Sequence, residues 1–229
     1  MLEARVCAGL SKADRLLFQS AIEGAGVSEE ALKLLPADAL AAIPVVAYGR
    51  GVSPGVLRPR LAFSWTHGHA RLRGVAGPWL MPMFRHAAYR PPAGLPETVP
   101  VWRGVQGMSL DDARRGESWT LDRGTACRFA CFWWRLGGAS GQALVLRRDI
   151  PLRSIVYYWA PTAKQSLIAE VVIDLPPGGD VDPDPSSWRA AALDASERLR
   201  VAEGLPPLEM GLLHNARSMA LATATVGLP

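Results

Sequence analysis

Cysteine and lysine are scarce in this chain of 229 residues. There are three cysteines, at positions 7, 127 and 131, and Lys12, Lys33 and Lys164 are the only lysines among 25 basic residues. So few cysteines, odd in number, exclude a disulfide framework and predict free thiols in a reducing compartment. Cys127 and Cys131 stand four apart in a predicted helix with no Cys or His pair close by in sequence, so no zinc site is expected. No apolar run approaches the ~20 residues that span a bilayer, so no membrane segment is expected. The opening "MLEARVCAGLSKADRLLF" has an acid at position 3 and no long apolar stretch. It does not read as an export signal, and the expected location is the cytoplasm or, for a delivered protein, a target cell's cytoplasm. Neither common nucleotide motif, GxxxxGK or GxGxxG after a strand, is present.

What is there suits a globular protein. Apolar residues make up 49% and charged residues 20%, enough to build a core. The formal net charge is +4, and 22 of the basic residues are arginine. Arginine suits phosphate recognition. The basic residues are scattered along the chain, however, and Ala, Gly and Pro are abundant too, so a GC-rich coding composition is the simpler reading. A nucleic-acid-binding reading, which predicts binding that falls steeply with salt, lacks a basic cluster to carry it.

Short helices are predicted over 11–42, with Ser11 and Ser28 as N-caps and stops at Pro36 and Pro44. "PVVAY" reads as a short strand. Two stretches with helical apolar spacing follow, "AFSWTHGHARLRGV" and "GPWLMPMFRHAAY". "RPPAGLPETVP" at 90–100 is the linker candidate. Beyond it, "TVPVWRGV", "ESWTL", "QALVLRR", "RSIVYYW" and "LIAEVVIDL" read as strands. "SLDDARRG" and "DRGTACRFACFWWRL" read as helices, the latter closed by Gly137 and Gly138. "PSSWRAAALDASERLRVAEG" and a last segment at about 207–222 are also helical. The expected organisation is a mostly helical region 1–97, a β core 98–180 and C-terminal helices 181–229. The fold class is α+β with mainly antiparallel strands, since few strands alternate with full crossover helices.

Ser-Trp-Thr occurs twice, at 64–66 and at 118–120, each with Arg-Gly-Val upstream, at 50–52 and 103–105. Strand-like "VWRG", extended "SWT", a helix with Ala126, Phe129 and Ala130, and a late strand "LIAEVVID" with its Glu follow one another only in the second copy. This order resembles the ADP-ribosyltransferase superfamily, in its arginine–serine–glutamate class, over roughly 98–175. The first copy is followed by helical segments and a Pro-rich linker, and is read as a coincidence.

The resemblance implies an ADP-ribosyltransferase-like antiparallel β core flanked by helices, with NAD as cosubstrate and no metal. Arg103 would hold phosphate or ribose, a task for a bidentate cation. Glu170 would accept from the ribose 2′-hydroxyl and place negative charge beside the cation that develops as nicotinamide leaves. Ser118 would orient that carboxylate. Gly104, Thr120 on the face of Ser118, and Phe129 complete the expected cosubstrate set, and Lys164, Gln165 and Ser166 lie in the acceptor-loop position. Glu170 also stands out in its own right, as an acid within an apolar strand. Arginine-modifying relatives carry Glu or Gln two residues before the catalytic Glu. Ile168 stands there, which points the acceptor away from arginine.

The function expected from this is a NAD-dependent ADP-ribosyltransferase, a glycosyltransferase, acting on an intracellular protein or nucleic acid. A toxin, a phage-encoded host modifier or an injected effector would suit it, with an inhibitory partner or antitoxin. Two alternatives remain: a NAD glycohydrolase toxin that uses the same residues with water as acceptor, and a catalytically inactive interaction module of the same fold.

Overall fold

The computed structural model describes residues 1–24, 26–91, 93–132, 141–159, 169–202 and 204. Helices α1 (Leu2–Ala8), α2 (Lys12–Glu23), α3 (Glu29–Leu32), α4 (Ala37–Gly49), α5 (Pro54–Ala76) and α6 (Leu80–Ala87) come first. Strand β1 (Thr98–Gln106), helix α7 (Leu110–Arg114), strand β2 (Ser118–Thr120) and helix α8 (Arg123–Phe132) follow. Strands β3 (Ala143–Pro151), β4 (Ile155–Trp159), β5 (Glu170–Ile173) and β6 (Asp180–Val181) then lead to helix α9 (Trp188–Ala202). The class is mixed helix and antiparallel sheet, with strand order β4-β5-β2-β1-β3-β6. The predicted helix at 207–222 and the far end of "DRGTACRFACFWWRL" lie outside the described residues.

The chain forms two compact units. The first comprises Met1–Glu97, Leu152–Trp159 and Val172–Asp174, and the second holds the remaining described residues. Strand β5 is divided between them after Val171.

The first unit is helical, and its helix starts follow local rules. Ser11 accepts from the Asp14 backbone N–H at 3.1 Å and Ser28 from that of Ala31 at 3.2 Å. Each satisfies a donor that the first turn leaves orphaned. Its core gathers Phe18, Ile43, Leu61, Trp65, Phe84 and Tyr157. The Trp65 and Phe84 rings meet edge-on at 5.2 Å, and Tyr89 meets Tyr157 edge-on at 4.6 Å.

Two expectations fail here. No helix ends at Pro44 and no strand covers "PVVAY": α4 runs through the proline to Gly49, with Pro44 itself buried. Proline in a helix interior removes one i→i−4 bond and so orphans the carbonyl four residues earlier. That carbonyl belongs to Leu40, and the Ser64 hydroxyl donates to it at 2.8 Å. The serine of the first Ser-Trp-Thr therefore repairs a helix, and Trp65 beside it fills the core at 1% exposure. In α5, Gly68 leaves helical geometry with an extended φ of −171°. Just before it, Thr66 Oγ1 donates to the Ala62 carbonyl at 2.9 Å and His67 Nδ1 lies 3.0 Å from that of Phe63. Side chains thus take up carbonyls next to a glycine kink.

The second unit is built on β1, paired along its whole length with β3, from Thr98 opposite Pro151 to Gln106 opposite Ala143. The strand takes in 98–100, the end of the predicted linker. The two-residue β6 was not expected; it pairs with β3 at Leu146 and Arg147. A core of Ala126, Cys127, Ala130, Val145, Trp188 and Ala192 joins α8, β3 and α9.

Candidate functional site

Two glycines shape the ground on which the predicted residues stand. A Cβ on Gly104 would fall 1.7 Å from the Ala126 carbonyl oxygen, so only glycine lets α8 lie this close to β1. A Cβ on Gly116 would fall 2.0 Å from Cζ of Arg103. The guanidinium therefore lies flat against backbone that no side chain shields. Its Nη1 donates to the Ser118 carbonyl at 2.5 Å. An arginine on one strand thus grips the backbone of the serine on another.

The Ser118 side chain makes a contact of its own. Its hydroxyl donates to Glu170 Oε1 at 2.5 Å, across 52 residues of sequence. That length is in the range of charge-assisted O–H···O⁻ bonds. The two residues are brought together where β2 and β5 adjoin, tied by the Leu121 N–H on the Ala169 carbonyl at 3.1 Å. Arg103, Ser118 and Glu170 are each half-buried. The result is a continuous series: the arginine positions the serine, and the serine positions the carboxylate.

Trp119, between Ser118 and Thr120, is 2% exposed and donates its indole N–H to the Gly116 carbonyl at 2.8 Å. Thr120 pairs with Trp102 in the β1–β2 register. Its hydroxyl accepts from the Asp122 N–H at 3.1 Å, so it supports the turn into α8. Phe129 is half-buried on α8. Lys164, Gln165 and Ser166 lie outside the described residues.

Sequence reasoning passed over three residues of this neighbourhood. Gly116 had a visible signal as the residue ending "DDARRG". Asp122 caps α8 by accepting from the Thr125 N–H at 2.7 Å, and the Asp-x-x-Thr spacing could have been read. Arg198 on α9 pairs with Asp122 at 3.3 Å and had no local signal.

The histidines near the middle of α5 have aromatic neighbours. His67 stacks on Phe63 at 4.1 Å, and His69 lies 5.8 Å from Trp65. Burial pushes the Cys127 thiol up to about 12, and the Cys131 thiol is also raised by burial. Among the described residues no group of three or more His, Cys, Asp or Glu could hold a metal ion. No described helix is long and apolar enough to cross a membrane. No family model, no curated protein and no solved structure matches this chain.

Proposed function

We propose that the chain is a NAD-dependent ADP-ribosyltransferase of the arginine–serine–glutamate class, acting on an intracellular macromolecule. The observation that carries this reading is the 2.5 Å hydrogen bond from Ser118 to Glu170. A serine and a glutamate singled out as orienter and oriented, 52 residues apart, touch as those roles require.

The residues fit the cosubstrate by their chemistry. NAD, when bound, brings a pyrophosphate and a ribose whose bond to nicotinamide breaks. Arg103 offers a delocalised cation beside Ser118, and the planar fork of a guanidinium matches the charge and geometry of a pyrophosphate. Glu170 supplies the negative charge that stabilises a ribosyl cation, held in place beforehand so that no reorganisation is needed as the charge develops. Ser118 restrains the carboxylate to one rotamer, and Arg103 restrains Ser118.

The test is calorimetric titration of NAD into wild type and Arg103→Ala, with nicotinamide release followed in wild type and Glu170→Ala, with and without cell lysate. The expected result is that binding needs Arg103 and release needs Glu170. A wild type that neither binds NAD nor releases nicotinamide overturns the reading in favour of an interaction module. Free ADP-ribose as the sole product would make it a glycohydrolase.

A further inference from the structure

Trp119, the residue between Ser118 and Thr120 on β2, has a second set of contacts behind the site. The loop 176–179 lies against its ring, and three backbone groups of that loop are held from α7 and β3. The Gly178 N–H donates to the Arg114 carbonyl at 3.2 Å. Arg114 Nε donates in turn to the Gly179 carbonyl at 2.9 Å, and Arg148 Nη1 donates to the Pro176 carbonyl at 2.8 Å. Two arginines from flanking elements thus satisfy the polar backbone of a short loop.

Gly179 is where the loop meets the ring. Its φ of +111° is one that L side chains rarely adopt. A Cβ there would also fall 2.9 Å from Cη2 of Trp119, so the indole lies directly on backbone. From its five-membered ring the indole N–H donates to the Gly116 carbonyl at 2.8 Å, a buried bond. Gly116 is the residue against which the Arg103 guanidinium lies. A core tryptophan needs only burial and some acceptor for its N–H. This one, 2% exposed, has as acceptor the residue that carries the arginine. An indole is rigid, with two rotatable bonds, so the ring sets the spacing between loop and glycine.

From this series we propose that Trp119 is a positioning residue: the loop seats its indole, the indole fixes Gly116, and Gly116 sets where the Arg103 guanidinium lies. All of these residues belong to the second unit. Arg103 grips the Ser118 carbonyl and the Ser118 hydroxyl holds Glu170, so the ring stands behind all three candidate residues. That the arrangement serves NAD rests on the proposed function; the relation between the indole and the arginine does not.

The test uses the full chain and two readouts. Phenylglyoxal modification, followed peptide by peptide by mass spectrometry, reads how firmly Arg103 is seated, with Arg147, exposed on β3, as reference. Calorimetric titration of NAD and the kinetics of nicotinamide release read the site. Trp119→Phe keeps a ring and removes the N–H donor. Arg114→Gln removes the donor to Gly179 from a half-buried residue, and it guards against a tryptophan variant that folds poorly. Trp188→Phe, in the core that joins α8, β3 and α9, is the control for losing an indole. In Trp119→Phe, Arg103 is expected to react several-fold faster relative to Arg147. The Kd for NAD should rise about tenfold, the equivalent of one buried hydrogen bond, with KM rising more than kcat falls. Arg114→Gln should move both readouts the same way by less, and Trp188→Phe should move neither. A wild-type Arg103 rate in Trp119→Phe overturns the inference, and so does an equal rise in Trp188→Phe. A wild-type rate in Arg114→Gln overturns the part assigned to the loop. Unchanged NAD affinity in Trp119→Phe, despite faster modification, overturns the claim that this seat serves the cosubstrate. A wild type that binds no NAD overturns the proposed function, while the modification rates still decide the seating.

Discussion

The Ser64 hydroxyl donates to the Leu40 carbonyl, the oxygen that Pro44 has no N–H to reach. The bond is buried and joins α5 to α4 within the first unit. Ser64→Ala would leave that carbonyl without this donor in an apolar setting, at a cost of about 1–3 kcal/mol. Urea denaturation of the variant should show a lower midpoint at unchanged slope. A midpoint equal to wild type would mean that another donor fills the place. NAD turnover per folded molecule, where it occurs, should not change, since Ser64 belongs to no part of the proposed site.

Gly116→Ala tests the placement of Arg103. The added methyl would overlap the guanidinium, at 2.0 Å from Cζ and 2.2 Å from Nη2. A side chain end can move, so the protein should fold, but Arg103 would leave its position beside the Ser118 carbonyl. NAD affinity is expected to fall as far as in Arg103→Ala, and combining the two should add little. Full affinity in Gly116→Ala would show that the arginine needs no such seat.

Gly104→Ala poses a harder collision. Its partner is the Ala126 backbone oxygen at 1.7 Å, which cannot swing aside. Strand β1 or helix α8 must shift bodily, and a loss above about 3 kcal/mol is expected. Thermal unfolding of the variant checks this. Near-native stability would mean that α8 can back away from the strand at little cost.

Asp122 does two jobs, capping α8 through the Thr125 N–H and pairing with Arg198. Asp122→Ala should cost about 1 kcal/mol for the cap and up to about 1 more for the ion pair. Arg198→Ala should cost that ion pair and the i,i+4 pair with Asp194, each no more than about 1 kcal/mol because the partners are partly exposed. A double-mutant cycle should return a coupling under about 1 kcal/mol. A coupling well above that would make the pair, rather than the cap, the main attachment of α9.

The thiols predict a pH dependence. The Cys127 thiol is raised by burial to about 12, from an ordinary value near 9. The folded state therefore keeps a proton that the unfolded chain releases. The resulting stability is fully present below about pH 9 and is lost as pH rises through about 12. Denaturation between pH 8 and 11 should show stability falling over that window, and Cys127→Ala should flatten the fall. At pH 7.5 Cys127 should resist thiol reagents until urea unfolds the chain.

Much of the local structure was legible along the chain. Ser11 and Ser28 each accept from the backbone N–H three residues on, as their capping positions predict. The strands around "VWRG", "SWT", "ALVLRR" and "IVYYW" were visible because β-branched and aromatic residues mark them. The reading of 44–48 failed because proline is a local stop signal only while its lost bond has no substitute. The substitute here comes from Ser64, 24 residues from Leu40.

The sequence by itself determined the elements whose signals span a few residues: caps, turns, strand composition, and the candidate trio Arg103, Ser118 and Glu170. The tertiary structure decided which of them touch. It set the hydroxyl of Ser118 on Glu170 and the guanidinium of Arg103 on the Ser118 carbonyl, beside Gly116, whose place next to the arginine no local pattern shows. It also separated the two Ser-Trp-Thr copies, one on a helix mending a proline break and one on a strand beside a carboxylate. The reason is the same for both. A short tripeptide carries no record of its partner, and the partner is chosen by strand adjacency and helix packing across tens of residues.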